Sequence, residues 1–247
     1  MHVHKPKPVE GMIAFASEIG VIVVGVLIAL GAEQIVDEMR WEHKVKVAEA
    51  GIQSEFSQRL GFAKETVDLK VCLAPYVDAL ETAIVHHDTA SIQKLSKGSW
   101  PFVTRPWGTA SWQAVVSTQV ADHLERKRLD LYAFMAVSLE DIRHFQERML
   151  VDYVDATVGK LGAPVDPAAT QMQLAAAERF RSDVFMEQVI SASILKRAHG
   201  VIEPDPAVVA GTEAQSEACL ANVNAARAGP SSLPVSPSAP ISAKRGR

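Results

Sequence analysis

An apolar segment near the start of the chain constrains its fold most. Residues 11–32 read GMIAFASEIGVIVVGVLIALGA and contain one charged side chain, Glu18. Because an α-helix rises 1.5 Å per residue, about 20 residues cover the ~30 Å hydrocarbon core of a bilayer. The segment therefore predicts a transmembrane helix after a short flank, residues 1–10, and makes the lipid bilayer the first expected partner.

A cleaved signal peptide is the main alternative for the same segment. Lys5 and Lys7 precede it, and Ala29 and Gly31 have the spacing of a cleavage site. Two observations favour a retained anchor. Glu18 interrupts the apolar run, and the following sequence, EQIVDEMRWEHKVKVAEA, continues as a helix former without proline. A buried helix of a soluble protein is the least favoured interpretation.

Small residues and the single charge fall on one face of the predicted span. At about 100° per residue, this face contains Glu18, Gly25, Ala29 and Ala32. Small residues let two helices approach closely, and a polar group can bond across the contact. We therefore expect this face to pair with a second copy of the chain or with a partner membrane protein. The alternative for Glu18 is a position at the bilayer edge, where it reaches the headgroups.

The flanking charges give the expected orientation. Two Lys precede the span and three Lys or Arg follow it before Glu49, so the counts alone do not decide. The short tail with Lys5 and Lys7, and the acidic start of the other flank, favour the N-terminus inside. Most of the chain would then lie outside the cytoplasmic membrane.

The sequence from Glu18 to Trp41 resembles the start of a family of uncharacterised bacterial single-pass membrane proteins. The matching residues are Glu18-Ile19, the string GVLIAL at 25–30, and Trp41. Ser17 stands where that family usually has Gly, and DEMRWE at 37–42 replaces an Asn-Trp-Asn-Glu-like stretch. The resemblance implies a one-span anchor that carries a helical domain. Together with the orientation that the flanking charges favour, we expect a location in the bacterial inner membrane, with most of the chain in the periplasm.

The remaining sequence predicts an all-α fold. Only 6% of residues are aromatic and 48% are hydrophobic, and apolar residues recur at steps of three and four. We expect the first helix to run from about residue 11 to Ala74, where Pro75 ends or kinks it. Further helices are predicted over 125–160, 168–199 and 207–227. Residues 33–228 then form a helical bundle.

The C-terminal segment, 229–247, has a different composition. It reads GPSSLPVSPSAPISAKRGR, which is too rich in Pro and Ser to build a packed core. We therefore predict a disordered C-terminal tail.

The two cysteines limit what the chain can be. Cys72 and Cys219 are too few for a disulfide-dense scaffold or a four-cysteine zinc site. We expect two separate buried thiols. The alternative is a disulfide, which requires a domain outside the cytoplasm and helices that pack together.

Motifs for chemistry are missing from the sequence. It has no glycine-rich nucleotide loop, nucleophile elbow, His-Glu-x-x-His, Cys-x-x-Cys or Glu-x-x-His. We therefore predict no catalytic residue, no cofactor and no metal site, and a protein that is not an enzyme. The net charge of −4 argues against a nucleic-acid partner.

A tryptophan-rich loop is the second candidate site. Trp100, Arg105, Trp107 and Trp112 lie close together in a chain that has only four tryptophans, and Thr109 is the expected N-cap of the helix that follows. Trp and Arg dominate binding hot spots, so the loop is a candidate partner or ligand site. The favoured alternative is structural, with the aromatic rings folded onto the bundle and plugging its end.

These observations favour a single-pass membrane protein that acts by protein interaction, as a scaffold, assembly factor or sensor component. A membrane-tethered enzyme whose site is built from residues distant in sequence is the second hypothesis. A secreted helical protein left after signal cleavage is the third.

Overall fold

The computed structural model describes residues 12–97, 104–158 and 166–228, and these ranges are helical without a β-strand. The all-α prediction is therefore confirmed. The flank 1–10 and the predicted disordered tail 229–247 lie outside the described residues. The helices are α1 Met12–Asp68, α2 Lys70–Val85, α3 Thr89–Lys97, α4 Ala110–Ser117, a 3₁₀ turn Val120–His123, α5 Arg126–Val158, α6 Pro167–Ala198, α7 Pro206–Val209 and α8 Thr212–Arg227.

Helix α1 has an exposed apolar part and a part that is buried in the bundle. It extends over 57 residues, about 85 Å at 1.5 Å per residue. From Phe15 to Leu30 every residue is exposed, and no part of the described bundle covers this stretch. The exposed stretch is long and apolar enough to cross a membrane. From Ile52 to Leu60 the inward-facing residues of the same helix are fully buried in the bundle. One helix is thus both the candidate anchor and a core element.

The end of α1 corrects the predicted boundary at Ala74. The helix ends at Asp68, and α2 begins at Lys70 with Pro75 inside it. Proline has no N–H for the carbonyl of Val71, and its ring crowds that carbonyl, so its effect falls on the turn before it. The interruption is local, because the Leu73 amide still donates to the Leu69 carbonyl at 3.0 Å.

Two long helices form an antiparallel pair beside α1 and α2. Helix α5 runs parallel to α1, since Arg128 pairs with Glu49 and Tyr132 with Gln53 at the same sequence offset of 79. Helix α6 returns in the opposite direction.

Cross-helix contacts fix the register of that pair. Arg148 of α5 pairs with Asp183 of α6, and Asp152, four residues later on α5, pairs with Arg179, four residues earlier on α6. The domain is therefore an elongated column of packed helices.

Within the described residues, the column contains two apolar clusters, one above the other. The lower cluster joins α1, α4, the lower half of α5 and the end of α6, and it includes Phe56, Trp107, Tyr132, Leu139 and Ile194. The upper cluster joins α2, α3, α8 and the other halves of α5 and α6, and it includes Tyr76, Leu80, Tyr153, Phe180 and Val223. Their separation leaves room for polar side chains between them.

The final helical segment is divided, which corrects the prediction of one helix over 207–227. Helix α7 ends at Val209, and α8 begins at Thr212. Asp205 caps α7 by accepting a hydrogen bond from the Ala207 amide at 2.9 Å. Helix α7 lies against Gly61 of α1 so closely that a Cβ there would be 2.7 Å from the Cβ of Val208. This contact requires glycine, and it ties the C-terminal segment to the long helix.

Cys72 and Cys219 form a disulfide rather than two separate thiols. The bond joins α2 to α8 with a Cα–Cα distance of 6.0 Å. Both residues are fully buried. Local patterns could not decide between the two expectations, because the pairing depends on how helices at a sequence separation of 147 pack together.

Candidate functional site

A layer of polar side chains lies between the two apolar clusters. On α5, Gln146 lies between Ile142 of the lower cluster and Met149 of the upper cluster. On α6, Glu187 lies between the two clusters in the same way, as does Glu65 on α1. Arg105, from the loop before α4, completes the layer. We call Glu65, Arg105, Gln146 and Glu187 the polar layer.

Continuous hydrogen bonds connect the polar layer. The Arg105 guanidinium donates to both oxygens of Glu65, from Nε at 2.8 Å and from Nη2 at 2.7 Å. The Arg105 amide donates to Gln146 Oε1 at 3.3 Å, and Gln146 Nε2 donates to Glu187 Oε1 at 3.0 Å. One loop residue thereby links α1 to α5, and through α5 to α6.

Arg105 holds the loop by two kinds of contact. Its fork-to-fork pairing with Glu65 is the strong, geometrically specific form of an ion pair. Its guanidinium carbon also lies 5.0 Å from the ring centroid of Phe62 on α1. Glu65 is only 5% exposed, and the Arg105 guanidinium compensates its negative charge. The pair therefore fixes the loop to the middle of the column.

Glu187 is the least compensated charge of the layer. It is only 4% exposed, and burial raises its pKa from 4.5 to about 7, with the Gln146 hydrogen bond as a smaller opposing effect. Ser191 lies one turn further along α6, fully buried, and its hydroxyl has no hydrogen-bond partner among the described residues. Glu187 can therefore gain or lose a proton near neutral pH inside the bundle.

The raised pKa of Glu187 predicts a pH-dependent stability. Below about pH 4.5 the carboxyl is neutral in both the folded and the unfolded chain. Its ionisation then takes nothing from the free energy of unfolding. As the pH rises through about 7, the unfolded chain is ionised while the folded one resists ionisation, and up to about 3 kcal/mol is lost. We expect Glu187→Gln to remove this loss, measured by urea unfolding of the full-length protein in detergent at pH 5 and pH 8.

A matched control lies on the same helix. Glu178 is two-thirds exposed, so Glu178→Gln should leave the difference between pH 5 and pH 8 as in the wild type. If the free energy of unfolding of Glu187→Gln changes between pH 5 and pH 8 as much as that of the wild type, the buried Glu187 carboxyl is not the source of the pH dependence.

The tryptophans of the predicted loop lie in different surroundings. Trp107 is 1% exposed, meets Phe62 edge-on at 5.8 Å between ring centroids, and belongs to the lower cluster. Its indole N–H has no partner among the described atoms. Trp112 is partly exposed and packs against the same cluster, 6.5 Å from Tyr132. Trp100 lies outside the described residues.

These positions bear on the two roles considered for the loop. Trp107 occupies the core at the middle of the column, not at its end. A role of Arg105 and Trp112 in binding a partner or ligand stays a prediction.

Sequence reasoning missed Glu55, which orders the segment after the loop. Thr109 occupies the predicted N-cap position of α4, but its side chain makes no capping bond. The Glu55 carboxylate of α1 accepts hydrogen bonds from the amides of Ala110 and Ser111 instead, at 2.9 and 2.7 Å. A carboxylate at a helix N-terminus also suits the helix dipole. No local pattern marks a cap that a distant helix supplies.

The predicted helix-pairing residues lie together on the exposed part of α1. Glu18, Gly25, Ala29 and Ala32 are all exposed. A Cβ added at Gly25 would meet no atom within 4 Å. The face is open within the described chain, and its pairing stays a prediction.

Open grooves lie on the surface of the column, and the described residues line two of them. One, of about 410 Å³ between α2 and α6, has a mostly apolar floor that includes Leu73, Val77 and Phe185, and Lys70 and Arg181 also line it. The other, of about 510 Å³, is lined by Thr82 and His86 among others. Neither groove includes a residue of the polar layer. In the part of the chain that the structure describes, no three His, Cys, Asp or Glu side chains are grouped as metal ligands.

Comparison with known proteins gave no match: no protein-family model, no curated protein and no solved structure is similar to this chain.

Proposed function

We propose that the protein is a single-pass membrane protein whose helical domain acts by protein interaction, as a scaffold, assembly factor or sensor component. The observation that carries the proposal is the continuity of α1. The apolar part that could span a membrane and the part that packs into the core belong to one uninterrupted helix. A domain attached in this way stands at a fixed height and angle above the bilayer.

Two further observations support a location outside the cytoplasm. The disulfide between Cys72 and Cys219 is of the kind that persists in oxidising compartments. The flanking charges of the span favour the same orientation. With the resemblance to the bacterial single-pass family, we propose the bacterial inner membrane as the location, with the bundle in the periplasm.

The interior of the bundle supports interaction better than catalysis. The side chains of the polar layer are engaged in hydrogen bonds with one another. Ionisable residues line both grooves, and Arg181 among them is already paired with Glu81 and Asp78. Because the sequence lacks motifs for chemistry and its net charge is −4, we propose no enzymatic activity, no cofactor and no nucleic-acid partner. The expected partners are the bilayer, a second copy and another membrane protein.

Pairing within the membrane tests this proposal. We expect Gly25→Leu to lower the oligomeric mass of the full-length protein in mild detergent to that of a monomer, because a bulky side chain prevents the close approach of two helices. The measurement is light scattering coupled to size exclusion, with the detergent contribution subtracted.

Gly20→Leu is the matched control. Gly20 lies in the same exposed part of α1, five positions before Gly25 and about 140° around the helix from it. It should keep the wild-type mass. An equal mass for the wild type and both variants would refute pairing through this face.

A further inference from the structure

The stalk between the span and the bundle has an apolar side. Val36, Met39 and Val47 are 46%, 65% and 60% exposed, and Ile35 is exposed as well. These residues lie beyond the end of the predicted span. Exposed apolar side chains that form a contiguous row in water mark an interaction surface.

Charged residues avoid this side of the stalk. At about 100° per residue, Ala32, Ile35, Val36, Met39 and His43 fall within a sector about 100° wide. Every Asp, Glu, Lys or Arg between positions 32 and 43 lies outside that sector. The stalk is therefore amphipathic, although no described part of its own bundle covers the apolar side.

The bundle packs on the opposite side of α1. Trp41, Val45 and Ala48 are partly buried against the lower cluster, and Ile52 is fully buried. The Trp41 ring stacks on His123 with 4.0 Å between ring centroids. These positions lie about half a turn from the apolar sector. A second helix could therefore dock on the apolar side without displacing the bundle.

The apolar side continues directly into the predicted pairing face of the span. The row of positions is 18, 22, 25, 29, 32, 36, 39 and 43, and its steps alternate between four and three. This average of about 3.5 residues is the repeat of a coiled-coil seam, in which the partner of a helix is another helix. We call this row the seam, and it joins membrane and stalk in one surface.

We propose that a second copy of this chain occupies the seam, with the two α1 helices parallel and in register from Glu18 to His43. The proposal rests on the membrane anchor of the proposed function. A shared membrane gives every copy the same direction and depth, so each seam residue meets its own counterpart. Small residues then face small residues at Gly25 and Ala29, and apolar residues face each other at Val36.

The size of the seam indicates a reversible dimer. The stretch from Glu18 to His43 spans about 38 Å, and a helix is about 10 Å wide. The strip is therefore roughly 400 Å² on each copy, near ~800 Å² in total, which is below the standard size of stable interfaces. Confinement to one membrane favours such a contact. Crosslinking in the membrane tests the seam at the positions in the stalk, which the oligomeric mass in mild detergent does not resolve.

Single cysteines in the stalk distinguish the seam from the other faces. Val36→Cys and Met39→Cys place thiols on the seam, whereas Gln34→Cys and Asp37→Cys place them on exposed positions outside it. The native disulfide is buried and remains in all four full-length proteins. Membranes are treated with copper phenanthroline and analysed on non-reducing gels.

We expect a dimer of twice 26.7 kDa from both seam variants, at least fivefold more abundant than from either control. Equal crosslinking at all four positions, no crosslinking at the seam, or an adduct of another mass would overturn the proposal. Retention after an alkaline wash is measured on the same samples. Chain retained without seam crosslinks refutes only the dimer, whereas chain released from the membrane refutes the anchor and the dimer together.

Discussion

Replacing Arg105 with Ala should destabilise the protein by about 3–5 kcal/mol, the cost of leaving a buried charge without its partner. Glu65 is almost fully buried, and its carboxylate receives both hydrogen bonds from this guanidinium. The substitution also removes the contact with Phe62 and releases the loop that positions Trp107. The measurement is urea unfolding of full-length protein in detergent, followed by tryptophan fluorescence.

Two variants sharpen this test. Arg143 forms ion pairs on the exposed surface of α5 and is 39% exposed, so Arg143→Ala should destabilise the protein far less than Arg105→Ala, because solvent screens exposed ion pairs. The double variant Arg105→Ala with Glu65→Gln removes the unpaired charge and should recover part of the loss. If Arg105→Ala costs no more than Arg143→Ala, the polar layer does not hold the loop.

Replacing both Cys72 and Cys219 with Ala should cost up to about 5 kcal/mol, since the bond closes a long loop in the unfolded chain. The sequence separation is 147, and the bond connects the last described helix to the upper cluster. Helix α8 should lose its hydrogen-exchange protection first, because it packs mainly against α2 and α3. The wild-type protein in reductant should approach the stability of the double variant.

Counting reactive thiols in the unfolded protein tests directly whether Cys72 and Cys219 are bonded. Unfolded wild-type protein should show no reactive thiol until a reductant is added. Two reactive thiols in protein unfolded without reductant, together with equal stability of wild type and double variant, would show that the two cysteines are not bonded.

The features predictable from sequence were those encoded in local patterns. A continuous apolar run with one charge indicated a helix able to span a membrane, and steps of three and four indicated the helices that follow it. The N-cap at Asp166, with Pro167 next to it, begins α6 one position before the predicted start at Ala168. Each of these signals lies within a few turns of the helix that it specifies.

The features missed were those that depend on distant residues. The members of the polar layer show no common motif, because three helices and a loop bring them together. Glu55 caps a helix that is distant in sequence. Whether Cys72 forms a disulfide depends on where α8 places Cys219. Pro75 was visible in the sequence, but the predicted helix end at Ala74 was wrong, because a proline affects the turn before it and α1 ends at Asp68.

The most direct test of the account is the intact mass of the full-length protein recovered from alkali-washed membranes. In the proposed function, α1 is a retained anchor that continues into the bundle. The expected mass is therefore near 26.7 kDa, in the membrane pellet. A soluble protein that is shorter by about thirty residues, as after signal-peptide cleavage, would contradict it, and the scaffold and dimer proposals would fall with the anchor.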